Sequence, residues 1–187
     1  MGMPHTAEHW TADMVRALPD DGKRYEVVDG ELLVTPAPSA RHQRAVSGIH
    51  ARLWTYLQGS ALGECMTSPA DISFREDRLV QPDVFVAPLG PNGRKVGQWS
   101  DIRGLLLAVE VLSPSTARAD RQVKRRLYQE ERVGEYWIVD LDARVVERWR
   151  AGDDRPEIVV GTLSWLPDPS AAPFELDLPL FFGEVLV

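Results

Sequence analysis

The run Leu105–Leu112, LLLAVEVL, restricts the fold of this chain more than any other segment. It is apolar at every position but Glu110 and is bounded by loop-forming residues, so it reads as a central strand buried on both faces. Ser113-Pro114-Ser115-Thr116 then caps a helix over about Ala117 to Arg132, Gly134 ends it, and EYWIVD (Glu135–Asp140) supplies another strand. A right-handed crossover through that helix lays the two strands parallel.

The remaining segments build around this unit. Thr11 to Leu18 reads as a short helix, with Thr11 as its cap. RYEVVDGELLV is a pair of β-prone runs joined by Asp29-Gly30, which supplies the positive φ values of a tight hairpin. Pro36-Ala37-Pro38 stops the second run, and Ser39 caps a helix to about Leu57 whose Val46, Ile49, Leu53 and Leu57 share one face. Glu64–Phe74 and Val80–Ala87 look like strands joined by the polar turn Arg75-Glu76-Asp77-Arg78, followed by a Pro/Gly-rich loop, Pro88 to Gly97. RVVERW and PEIVVG read as edge strands, and a loop from Pro167 to Pro173 precedes an apolar C-terminal tail. The sum is one α/β domain over residues 1–187, a mixed central sheet flanked by helices, with an N-terminal β-hairpin. No Gly-rich loop follows a strand and opens a helix, so nucleotide-cofactor folds are unsupported.

Composition excludes several classes. A hydrophobic fraction of 44% over 187 residues suffices for one sizeable core. No apolar run has membrane-span length, and an N-terminus carrying His5, Glu8 and Asp13 without an apolar core is not a secretory signal. One cysteine, Cys65, forms no internal disulfide, which suits a reducing cytoplasm. There is no Cys/His cluster of zinc spacing, so a metal here is a hard cation on oxygen ligands. The net charge of −7 counts against indiscriminate nucleic-acid binding, yet basic residues cluster. Arg41, His42, Arg44, His50 and Arg52 lie in a stretch without acids, and Arg118, Arg121, Lys124, Arg125, Arg126 and Arg132 form a second basic segment. Together they form either a local phosphate-binding face or merely two solvated helix faces.

Glu110 does not belong in its strand. A carboxylate there costs several kcal/mol (~2–7) unless it is paired or bound to a metal. Asp83, in QPDVFV, is a second acid near the start of a strand, and neighbouring strands would bring both to one hard cation. Asp120, Lys124, Leu127 and Tyr128 share a side of the following helix, which lets the Lys124 ammonium reach the end of the Glu110 strand. Each residue alone has a plainer reading: Asp83 as a turn cap, Lys124 as a partner of Asp120, Glu110 in an ion pair with a buried arginine. The ordered combination is what phosphodiester hydrolysis requires, two acids for the metal and a lysine to position water or balance charge. His42, opening the first long helix, is an accessory candidate as a proton carrier, and Glu31, after the hairpin turn, as a further ligand. Tyr128, Tyr136 and Trp137 read as core aromatics.

These residues resemble the PD-(D/E)XK nuclease superfamily and, more narrowly, the bacterial Uma family of restriction-endonuclease-like proteins. The resemblance is carried by YEVVDGEL, TPAPSARHQ, PADISF, QPDVFV, VEVLSPST, the Asp120/Lys124/Tyr128 helix and GEYWIVD, from about Tyr25 to Asp140, and the tail is similar to the family's C-terminal strands. It implies a restriction-endonuclease-like core with Asp83 and Glu110 as metal ligands and the Val111 carbonyl as a third. The chain departs from the superfamily pattern two residues after Glu110, where Leu112 stands in place of the usual lysine. Lys124 is the natural replacement, since related branches draw the basic residue from the following helix. The expectation is a Mg²⁺-dependent endonuclease, with Mn²⁺ as a substitute ion, acting on DNA through Arg41, Arg44, Arg121 and Arg125. Double-strand cleavage by one site per chain would call for a homodimer. The alternative is a non-catalytic nucleic-acid or protein binding module on the same fold, which Leu112 and the acidic charge favour.

Overall fold

The computed structural model describes residues 9–186, so the reading of the extreme N-terminus as free of a secretory signal rests largely on residues outside that range. Thr11 caps α1 (Ala12–Arg16), which is shorter than the expected Thr11–Leu18 helix. Asp29 and Gly30, at φ 51° and 80°, close the hairpin of β1 (Arg24–Val28) and β2 (Glu31–Thr35). Ser39 accepts from His42 N at 3.2 Å and starts α2 (Ala40–Leu57), whose Ala45, Val46, Ile49, Leu53 and Leu57 are buried as the spacing requires.

Two expected strands are each divided in two. Glu64–Phe74 becomes β3 (Glu64–Thr67) and β4 (Ile72–Arg75), and Val80–Ala87 becomes β5 (Arg78–Val80) and β6 (Val84–Ala87). Both breaks fall at a proline, Pro69 and Pro82, which has no N–H to give a ladder. The consequence is a change of sheet. β4 and β5 join the hairpin in a four-stranded sheet of order β2-β1-β5-β4, while β3 and β6 enter the six-stranded central sheet.

The Leu105–Leu112 run supplies β7 (Leu107–Val111), paired antiparallel with β6 and parallel with β8 (Glu135–Asp140), as the crossover predicts. The connecting helix is irregular: a π-helical turn, Ala119–Lys124, runs into α3 (Arg125–Glu130). Arg132, at φ 56°, takes the left-handed position after that helix, rather than Gly134. Gly134 is needed for a different reason, because a Cβ there would lie 2.6 Å from the Leu106 carbonyl oxygen.

The sheet continues through β9 (Val145–Arg150) to β10 (Glu157–Val159), giving the order β10-β9-β8-β7-β6-β3. RVVERW is therefore an interior strand, not an edge, because PEIVVG pairs along its far side. The C-terminal tail forms a hairpin, β11 (Thr162–Trp165) with β12 (Phe174–Asp177), and then α4 (Leu178–Val185), which Asp177 caps. α2, α4 and this hairpin cover one face of the central sheet around Trp137 and Phe181. Residues of α3 and of the four-stranded sheet cover the other around Phe85, Tyr128 and Tyr136. Among the described residues no helix is long and apolar enough to cross a membrane.

Candidate active site

The break at Pro82 creates the site. Freed from the ladder, Asp83 stands one residue ahead of β6, and extending the β6–β7 register (Val84 opposite Val109) sets it opposite Glu110. Alternation along β7 turns Glu110 the same way as Ala108, towards α3, while Val109 and Val111 face α2. Both acids are buried, at 3% and 2% exposure, and both lie at the floor of one cavity of about 480 Å³. His42, Val111 and Lys124 line the same cavity, so the structure brings these sequence candidates together.

The two carboxylates have opposite surroundings. Asp83 Oδ1 accepts from the Arg24 guanidinium at 2.8 Å, and Oδ2 accepts from Val111 N at 2.8 Å and faces His42 Nε2 at 3.1 Å. Burial opposes its ionisation, but His42, Arg24 and the Val111 amide prevail and hold it at about 2. Glu110 Oε1 accepts from Lys124 Nζ at 3.0 Å and from the Tyr128 hydroxyl at 3.2 Å. Burial pushes the Glu110 carboxyl well above its usual range; the Lys124 charge opposes this, and Asp83, Asp120 and Glu26 reinforce it. Glu110 is thus the acid whose charge the fold leaves undercompensated.

Lys124 is the hub of this cluster. It is buried, 2.8 Å from Glu26 Oε2 and 3.5 Å from Asp120 Oδ1 as well as touching Glu110. Burial alone would lower its pKa, yet the surrounding acids raise it well above the usual lysine value and keep the ammonium charged. The π-helical turn places Asp120 and Lys124 on the same inward side; such turns often mark functional positions. Glu26 is the residue sequence reasoning missed. It is fully buried, and its Oε1 accepts from Gln81 N at 2.7 Å, tying the hairpin to the turn that carries Asp83. Alternation puts Glu26 on the same face of β1 as Val28, and the fold turns that face to the core beside α3.

Other candidates lie apart from the cluster. Glu31, at the start of β2, is exposed and does not line the cavity. Arg41 binds Asp142 and the Leu141 carbonyl, and Arg44 binds the Val185 carbonyl. Arg121 binds Glu147 and Asp140, and Arg125 binds Gln129 while stacking over Trp149. Arg41 and Arg121 are held in ion pairs, whereas among the described residues Arg44 is bonded only through Nε. Leu112 packs against the core on the α3 side, and Tyr128 and Tyr136 are core aromatics whose hydroxyls bind Glu110 and the Asp120 carbonyl.

The donors suit a hard cation. In an antiparallel strand the N–H and C=O of one residue point to the same side, so the Val111 carbonyl is directed with its amide towards Asp83. Among the described residues no donor bonds Glu110 Oε2. No group of three His, Cys, Asp or Glu side chains forms a ready-made cage among the described residues. Two carboxylates and a carbonyl, with water and substrate completing the shell, is the donor set Mg²⁺ uses.

Taken together, a mixed sheet flanked by helices, with an N-terminal hairpin and acids at the end of the central strand, is the restriction-endonuclease-like fold. The chain belongs to the Uma2 family, described as "Putative restriction endonuclease", whose model matches residues 12–180. It is similar to the crystal structure of a "putative nuclease" of DUF820 from Anabaena variabilis ATCC 29413, with a TM-score of 0.74 and 19% identity over 94% of this chain and 99% of that one. No curated protein matches the chain.

Proposed function

We propose that this chain is a Mg²⁺-dependent endonuclease that hydrolyses DNA phosphodiester bonds, with Mn²⁺ able to replace Mg²⁺. The observation that carries this reading is the juxtaposition of Asp83 and Glu110 at the cavity floor, with a charged Lys124 3.0 Å from Glu110. Asp83, Glu110 and the Val111 carbonyl would hold the ion, which when bound supplies Lewis-acid activation of the phosphoryl group and of water. Lys124 holds positive charge beside Glu110 and balances the charge of the acids that would hold the ion. Glu26 and Asp120 keep that ammonium protonated and fixed. Arg24, half-buried at the cavity wall, is placed to receive a non-bridging phosphate oxygen once a cation takes over Asp83. His42 Nε2, 3.1 Å from Asp83 Oδ2 at the cavity wall, is placed to relay a proton to or from the cavity.

A binding module that keeps the fold without hydrolysis is the second reading, and Leu112 in the usual lysine position favours it. Calorimetric titration with Mg²⁺ and Mn²⁺ separates the two. The endonuclease takes up a divalent ion that Glu110→Ala cannot hold, whereas a non-catalytic scaffold gives no heat beyond dilution.

A further inference from the structure

We infer that the cavity over Asp83 and Glu110 takes an unpaired nucleic-acid strand, a nucleotide or two at a time, and excludes duplex. This names the substrate class of the proposed hydrolytic site and rests on that reading.

Enclosure is the first ground. The cavity walls come from separate segments: the loop before β1, the β2–α2 connection, Ser68-Pro69 and Ser113–Thr116. A cavity of about 480 Å³ is of the size that takes a small ligand such as a nucleotide. The acids are 3% and 2% exposed, so a phosphate must descend between these walls to meet them. An unpaired strand can bend to do so, but a phosphate on a stiff duplex is held at the rim by its partner strand.

The cation inventory is the second ground, and it is independent of the first. Proteins that grip duplex commonly set lysines and arginines against some 6–10 phosphates. Here Arg41, Arg121 and Arg52 pair with carboxylates, and Arg44 and Arg125 are bonded to a carbonyl and a glutamine; Arg118 and Arg126 are exposed but do not line the cavity. Among the described residues the cations at the cavity are Lys23, Arg24 and Lys124, with His42 beside them; Lys23 pairs with exposed Asp21, Arg24 with Asp83, and Lys124 is committed to buried acids. That set serves one short stretch of backbone. No Phe, Tyr or Trp lines the cavity among the described residues, so a strand entering it is held through its backbone and not by base stacking. An unpaired strand also needs a single site, which removes the reason for a dimer.

The test compares a labelled oligonucleotide as single strand, as blunt duplex and as a duplex with an unpaired overhang, each in DNA and RNA versions that separate the two sources of unpaired strand. Binding is read by anisotropy with Glu110→Gln, and with wild type in Ca²⁺ in case the variant misfolds. Cleavage is read with wild type in Mg²⁺ and Mn²⁺. The single strand should bind and be cut about 10-fold or more better than duplex, with cuts mapping to the overhang. Its log–log salt slope should be near −2, about three contacts at roughly −0.7 each. Duplex bound as well as single strand overturns the inference whether or not cleavage occurs. Preferential single-strand binding without cleavage by wild type upholds the strand class and refutes the hydrolytic reading. Binding of neither refutes both.

Discussion

Asp83→Asn should destabilise the metal-free protein, whereas Glu110→Gln should leave it as stable or more stable. Asp83 is held at about 2 in the fold against 3.8 ordinarily, which at neutral pH contributes about 2 kcal/mol of stability. The folded value is the lower one, so this contribution is present above pH 3.8 and is lost as pH falls towards 2. Asp83→Asn should therefore lower unfolding free energy by about 2 kcal/mol at pH 7 and have less effect near pH 2. Glu110 is raised above 4.5, so its contribution is favourable below 4.5 and is lost as pH rises towards its folded value. Glu110→Gln removes that penalty while Lys124 keeps Glu26 and Asp120 as partners. The expected change at pH 7 runs from nothing to a gain of about 1 kcal/mol. Urea unfolding in EDTA, followed by tryptophan fluorescence across pH, measures both. A loss above about 1 kcal/mol in Glu110→Gln, or none in Asp83→Asn, would refute the electrostatic argument.

Lys124→Met deletes the one ammonium among three buried acids, so it should cost about 3 kcal/mol in chemical unfolding. In the still-folded fraction it should slow cleavage by about 10²-fold or more while oligonucleotide binding is kept. Arg24→Gln frees Asp83 Oδ1 and should tighten Mg²⁺ binding about 10-fold by calorimetry. Gly134→Ala drives a Cβ into the Leu106 carbonyl, and its midpoint in urea should report a loss of about 1–3 kcal/mol.

Much of this architecture is legible in the sequence because it is local. The Asp29-Gly30 hairpin, the Ser39 cap with its apolar stripe, and the parallel pair β7–β8 each follow from spacing or turn chemistry that tertiary contacts only reinforce. What escapes is decided at a distance. Pro69 and Pro82 advertise breaks, but only the assembled sheets show that the chain changes sheet at both. RVVERW reads as an edge until PEIVVG pairs with it, and LPLFFGEV, an unpatterned apolar run, becomes a helix because Asp177 caps it and the central sheet gives Phe181 and Phe182 a surface. At the site, Glu110 is conspicuous because a single acid interrupts an apolar run. Glu26 is not, because β1 is buried on both faces and alternation alone does not say which one meets Lys124. The basic residues show the reverse error: clustering along the chain does not reveal that Arg41 and Arg121 spend their charge on acids within the fold.

The central claim is that the carboxylates beneath this cavity break phosphodiester bonds. Incubating circular single-stranded DNA and supercoiled plasmid with the purified protein in Mg²⁺ or Mn²⁺, beside Glu110→Ala and an EDTA control, tests it most directly. Linear and shortened products from wild type alone, absent in the variant and in EDTA, are the predicted result. Intact circles with wild type in both ions, or equal cleavage by Glu110→Ala, would contradict it.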